Sequence, residues 1–150
     1  YNSLLIASDI LGGGPNSKLF RNVREKESLA YYISSSVIKY KSIMLIDGGI
    51  EFENYQKTVN IINTQIEELK AGDFSDDDIE ISKKSIKTSL ESIRDSIFHI
   101  SEFFLSQIIG KDSRNLKQVI EGFENVNKEQ IIEAANKINI DAIYFMNGKK

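Results

Sequence analysis

The apolar positions of this chain change period three times, and the changes divide it into helical and extended blocks. Tyr1, Leu4, Leu5, Ser8 and Leu11 recur at helical spacing, and Gly12, Gly13 and Gly14 stop the run. A short buried strand over residues 4–7 fits the same letters, and periodicity does not separate the two. Asn16 or Ser17 then caps a second helix whose buried face carries Leu19, Phe20 and Val23. Residues 29–38 (LAYYISSSVI) and 43–51 (IMLIDGGIE) are rich in β-branched and aromatic residues, and the polar connection 39–42 joins them as an antiparallel hairpin. Gly48 and Gly49 weaken the second strand and mark a bulge there.

After Glu53 the period is helical again. Tyr55, Val59, Ile62, Ile66 and Leu69 form one face that ends at Ala71-Gly72. Ser75 with Asp78 makes a capping box, and the acidic residues 76–78 favour the positive end of the helix dipole. From Ile79 to Ile108 one apolar face continues to Gly110, which predicts a single helix about 50 Å long. Two shorter helices follow near 113–123 and 128–138, the second capped by Asn127 with Gln130, and residues 140–146 read as a last strand. This order predicts an α+β fold: a mainly antiparallel sheet covered on one face by helices.

Length and composition narrow the function. At 150 residues the chain is the size of one domain, taken here as 1–150 with no internal linker or repeat. From its opening on amphipathic sequence without an initiator methionine, it is expected to be a fragment of something longer. A net charge of −3 gives no general affinity for nucleic acid or an anionic membrane surface. No apolar run approaches the ~18 residues of a membrane span. With no cysteine the chain has neither disulfides nor thiolate ligands, and a cytoplasmic location is expected. With one histidine, His99, it cannot assemble a histidine-rich metal site alone, so neither metal nor cofactor is expected in this chain.

Four motifs remain. GGGPNSK at 12–18 invites a phosphate-loop reading, but Leu19 stands where the magnesium-binding hydroxyl should follow the lysine. Turn glycines needing positive φ are the simpler account of Gly12, Gly13 and Gly14. His99 and Glu102 give His-x-x-Glu without a closing histidine, because Phe103 follows, so His99 reads as a partly buried, hydrogen-bonded helix residue. Arg21, Arg24, Glu25, Lys26 and Glu27 read as a solvated helix face. Arg24 is set apart by Tyr31, seven residues on at the start of the hairpin. A guanidinium and a phenol meeting there can both donate to a peptide carbonyl or an oxyanion, beside a strand edge that an extended peptide can join.

The run SKLFRNVREKESLAYYISSS resembles the pitrilysin/insulinase family of zinc metallopeptidases, which includes the mitochondrial processing peptidases. In that family a Leu-Arg-x-x-x-x-Leu-x-Tyr-like segment supplies an arginine and a tyrosine from the non-catalytic half, and Val23-Arg24 and Leu29-Ala30-Tyr31 fill this pattern. The resemblance implies a C-terminal inactive domain of the LuxS/MPP-like metallohydrolase fold, lacking its first strand or strands. Arg24 and Tyr31 would bind a peptide substrate for hydrolysis at a zinc held by another domain or subunit. The GGGPNSKLF form is most similar to bacterial members that act as the silent partner of a zinc-bearing subunit. The family's zinc motif is absent here, so no catalytic residue is expected in this chain alone. The missing strand leaves an unpaired edge, which implies possible pairing with a second copy. A scaffold module of the same fold, with no peptidase role, is the alternative.

Overall fold

The computed structural model describes residues 1–41 and 43–147. Helix α1 (Asn2–Gly12) buries Ile6, Ala7, Ile10 and Leu11. A turn leads to a short helical run capped by Ser17, whose Oγ accepts from Phe20 N at 3.4 Å and donates to Gly14 O at 2.6 Å. That run becomes a π-helix over Phe20–Glu25, with Leu19 and Val23 fully buried.

Strands β1 (Ala30–Ile38) and β2 (Ile43–Ile50) pair antiparallel as a two-stranded sheet. The hairpin keeps one register from Ile38↔Ile43 to Tyr32↔Gly49, then slips to Ala30↔Ile50. The bulge therefore lies on β1 at Tyr31, where β2 at Gly48 and Gly49 was the expected place. Gly49 has a different duty: a Cβ there would come within 2.7 Å of the Tyr32 ring. Beyond the bulge Ile33 faces the core, with Met44 and Ile46 of β2 partly buried beside it. Tyr32, Ile38, Ile43 and Leu45 stay exposed on the other face. Helices thus cover one side of the sheet only.

Helix α1 lies directly on β1. Ser35 Oγ donates to Ser8 O at 2.5 Å and shares a bond with Ser8 Oγ at 2.9 Å. A Cβ on Gly12 would stand 2.5 Å from Ser35 N. Gly12 is thus the last residue of α1 and permits a close helix–strand approach. No positive φ occurs at Gly12, Gly13 or Gly14, and Gly13 has φ −80°. The left-handed turn expected of these glycines is not how the chain turns.

Helix α2 (Tyr55–Ala71) ends on Gly72 at φ +80°, and α3 (Asp76–Glu91) starts from the Ser75–Asp78 capping box. The long helix does not form. A 3-10 turn at Ser92–Asp95 and an extended Ser96 end α3, and α4 (Ile97–Gly110) starts afresh. Ser92 Oγ turns back on Ser89 O at 2.8 Å, the local competition that makes Ser and Asp poor helix interiors. The break returns α4 to the hairpin tip, where Tyr40 Oη bonds Ser106 O and Oγ. Helices α5 (Leu116–Glu124) and α6 (Lys128–Ala135) follow, each with an Asn/Gln capping box. Residues 139–147 form no strand. Phe145 instead stacks against Tyr55 and Phe52, with centroids 4.5 and 5.9 Å away. A strand needs an edge to bond, and these residues lie along the start of α2, outside the sheet.

Candidate functional site

Arg24 and Tyr31 stand on consecutive elements, and each sits at an irregularity of its element. Arg24 is on the π-turn, exposed, with its guanidinium 4.7 Å from the centroid of the Phe20 ring. Among the described residues it makes no ion pair or side-chain hydrogen bond, so its donors face water. Tyr31 is the bulged residue of β1 and is 70% exposed. An extra residue in one strand re-aims its side chain, and such bulges gather beside functional sites, as π-turns do.

The phenol of Tyr31 is engaged. It donates to Glu51 Oε1 at 2.5 Å, and that bond to the nearby carboxylate raises its pKa above the usual phenol range. Glu51 follows β2 directly, where the hairpin brings the end of one strand beside the start of the other. It was not among the residues singled out from the sequence, although the pairing of residue 30 with residue 50 places it there. Nearby, Lys57 Nζ donates to Glu27 Oε2 at 2.5 Å, so part of the charge run is spent on tying the turn after the π-helix to α2. Arg21 bonds Asp78 Oδ1 at 3.1 Å, tying the π-turn to the start of α3. What remains for a ligand is one free guanidinium and one phenol–carboxylate pair. A peptide backbone offers the carbonyls and N–H groups that match them.

The other sequence motifs resolve into structure. The cleft behind residues 13–17 holds about 160 Å³ and is lined by Asp9 and Asp78 with Ser82 and Ser85. Burial raises the pKa of Asp9. Two carboxylates make the cleft a poor seat for a phosphate, whose charge they would repel. His99 is exposed on α4 with its ring edge-on to Phe98 at 6.0 Å, so it is not the partly buried, hydrogen-bonded residue expected. Among the described residues, no three His, Cys, Asp or Glu side chains converge as metal ligands. The described residues thus offer no donor set that fits a zinc ion. No described helix is long and apolar enough to cross a membrane.

The described residues thus form a two-stranded sheet backed by helices, with an exposed arginine and tyrosine at neighbouring irregularities and no converging set of metal ligands. Residues 1–86 match the family described as the Peptidase M16 inactive domain, and the chain belongs to that family. It is 38% identical over 148 residues to the Probable inactive metalloprotease YmfF of Bacillus subtilis, covering 99% of this chain and 35% of that protein. It is 27% identical to the Uncharacterized zinc protease YmxG of the same organism, over 93% of this chain and 32% of the relative. The chain thus spans about a third of the length of these relatives. Among solved structures, a conserved protein from Enterococcus faecalis superposes with a TM-score of 0.83 at 31% identity, over 91% of this chain and 32% of that one. A peptidase M16 inactive domain from Pseudomonas fluorescens shares the fold, with a TM-score of 0.73 at 19% identity, over 93% of this chain and 34% of that one. The resemblance drawn from the arginine–tyrosine segment therefore identifies the family.

Proposed function

We propose that this chain is a non-catalytic, substrate-positioning domain of a pitrilysin-family zinc metallopeptidase, and that Arg24 and Tyr31 hold an extended peptide for hydrolysis at a zinc borne by another domain or subunit. The observation that carries this reading is the exposure of both side chains at consecutive irregularities, the π-turn and the β-bulge. The same two elements bury Val23, Ala30 and Ile33 in the core while Arg24 and Tyr31 point to solvent. Arg24 donates to a substrate carbonyl from its unpaired guanidinium, with the Phe20 ring limiting its swing. Tyr31 exchanges its bond to Glu51 for one to the substrate, and the Glu51 carboxylate is left to accept from a peptide N–H. The open edges of the hairpin suit an added strand.

The test is reconstitution with a zinc-bearing relative of the same family and a fluorogenic peptide pool. Arg24→Ala in the assembled enzyme is expected to lower kcat/KM by about 10²–10³, the effect of losing a transition-state donor. An unchanged kcat/KM defeats the proposal. If the assembly forms equally well but hydrolysis does not depend on this chain at all, the domain is a scaffold.

A further inference from the structure

Arg24 owes its direction to a helix that runs out of α-helical phase. Over Phe20–Glu25 the turn is π-helical, and Lys26 N donates to Arg21 O, five residues back, at 2.9 Å. A π-turn holds more residues than the 3.6 of an α-turn, so side chains beyond it are rotated from their α-helical directions. The apolar contacts of Leu19 and Val23 hold the helix to the core. Such contacts are non-directional.

A polar clamp on the far side of the helix supplies the direction. Asn22, two residues before Arg24, uses one Nδ2 hydrogen on Lys18 O and the other on Gln65 Oε1 of α2, each at 2.9 Å. Lys18 O is the carbonyl that the backbone N–H of Asn22 would take in an α-helix. Side-chain bonds to the carbonyl four residues back also occur in regular α-helices here, as from Thr88 to Lys84 in α3, so the bond to Gln65 is what distinguishes Asn22. Gln65 is only 4% exposed, and a buried amide needs a partner, which Asn22 provides. One turn away Lys18 Nζ donates to Glu68 Oε2 at 2.8 Å, so two polar ties fasten the same two helices.

We infer that Asn22 and Gln65 are positioning residues for Arg24: their amide bond fastens the π-turn to α2 and so sets where the guanidinium points. The inference rests on the reading of Arg24 as a peptide-binding residue, and its test separates the two. The first readout is the Arg24 Nε–Hε NMR signal, which the Phe20 ring current marks. Asn22→Ala is expected to move it to the position of a free arginine side chain. Ile131→Val, a core change on α6, lowers the melting temperature and leaves the signal in place. If Asn22→Ala does not fold, Gln65→Met removes the acceptor at similar volume and carries the same expectation.

The second readout is binding of fluorescein-labelled tryptic peptides of β-casein. Kd rises about three- to tenfold for Asn22→Ala, as expected for one misplaced hydrogen bond, and does not rise further in an Arg24→Ala background. An unmoved Arg24 signal, or the same loss of binding with and without Arg24, overturns the inference. Peptide binding indifferent to Arg24→Ala overturns the functional reading instead, and the NMR signal still decides whether Asn22 positions Arg24.

Discussion

The contact between Tyr31 and Glu51 couples the candidate site to pH. Tyrosine loses its proton near pH 10 in an unfolded chain, and the bond to Glu51 raises that value in the folded one. A raised folded-state pKa means that the stabilisation is complete below the unfolded pKa and disappears as pH climbs through the folded value. Glu51→Gln removes the negative charge, so the Tyr31 pKa should fall back toward that of free tyrosine. Ultraviolet difference titration against Tyr31→Phe measures this, and an unchanged titration would show that the phenol has another partner. Asp112 gives the opposite sign. Its bonds from the Arg114 side chain and backbone depress its pKa to about 2. The Asp112–Arg114 contact should therefore persist at pH 3 and fade only as pH falls toward 2, which the carboxyl carbon shift of Asp112 will follow. At this scale a motif pointed to Arg24 and Tyr31, and the structure finds both exposed. Glu51 escaped notice because its role depends on hairpin register, which a bulge one strand away alters.

At the scale of elements, the small residues of α1 explain how the hairpin is held beneath the helices. A methyl group on Gly12 would meet backbone atoms of Ser34 and Ser35, which cannot move aside as a flexible side chain can. Gly12→Ala is expected to cost about 1–3 kcal/mol by overpacking. Gly14→Ala, with nothing within 4 Å, should change stability little. Chemical denaturation of the two variants side by side checks the contrast, and equal losses would mean that the loop needs glycine for its backbone. The hairpin, α2 and the capping boxes at Ser75 and Asn127 were legible from local chemistry, since alternation, a terminal glycine and Ser/Asn with Asp/Gln act within a few residues. The break between α3 and α4 was not, because the apolar repeat runs straight through Ser92–Asp95 while the Ser92 side chain bonds back to the Ser89 carbonyl and the backbone tightens into a 3-10 turn. Residues 140–146 carry a strand pattern yet form none, because a pattern specifies a face to bury and does not say whether the segment reaches a sheet edge; here Phe145 packs against Phe52 and Tyr55 instead. The face of α2 was similarly half visible: Ile66 and Leu69 are core, but buried Gln65 shows only through its partner Asn22.

For the whole molecule the telling feature is the apolar surface left uncovered. Helix α4 is apolar nearly all round, yet Ile97 is 85% and Ile108 74% exposed, with Phe104, Leu105 and Ile109 also in water. The outer face of the sheet adds Tyr32, Ile38, Ile43 and Leu45. Large exposed apolar patches are uncommon on soluble monomers, and surfaces of this kind mark places where other protein packs. The relatives it matches are about three times as long, so the proposal of a partner domain supplies an occupant. In its absence a second copy is the available substitute. The chain alone is therefore expected to self-associate with rising concentration, and Phe104→Glu combined with Ile108→Glu should return it to a monomer. Both positions lie outside the core, so unfolding stability should change by no more than about 0.5 kcal/mol, as for ordinary surface substitutions. Light scattering behind a sizing column gives the mass, and denaturant melts confirm that the fold survives. A wild-type chain that stays monomeric at high concentration would show that α4 tolerates water as it stands, and would remove the need for a covering partner on that face. A doubly charged variant that still associates would shift attention to the outer face of the sheet, where Leu45→Lys is the corresponding change.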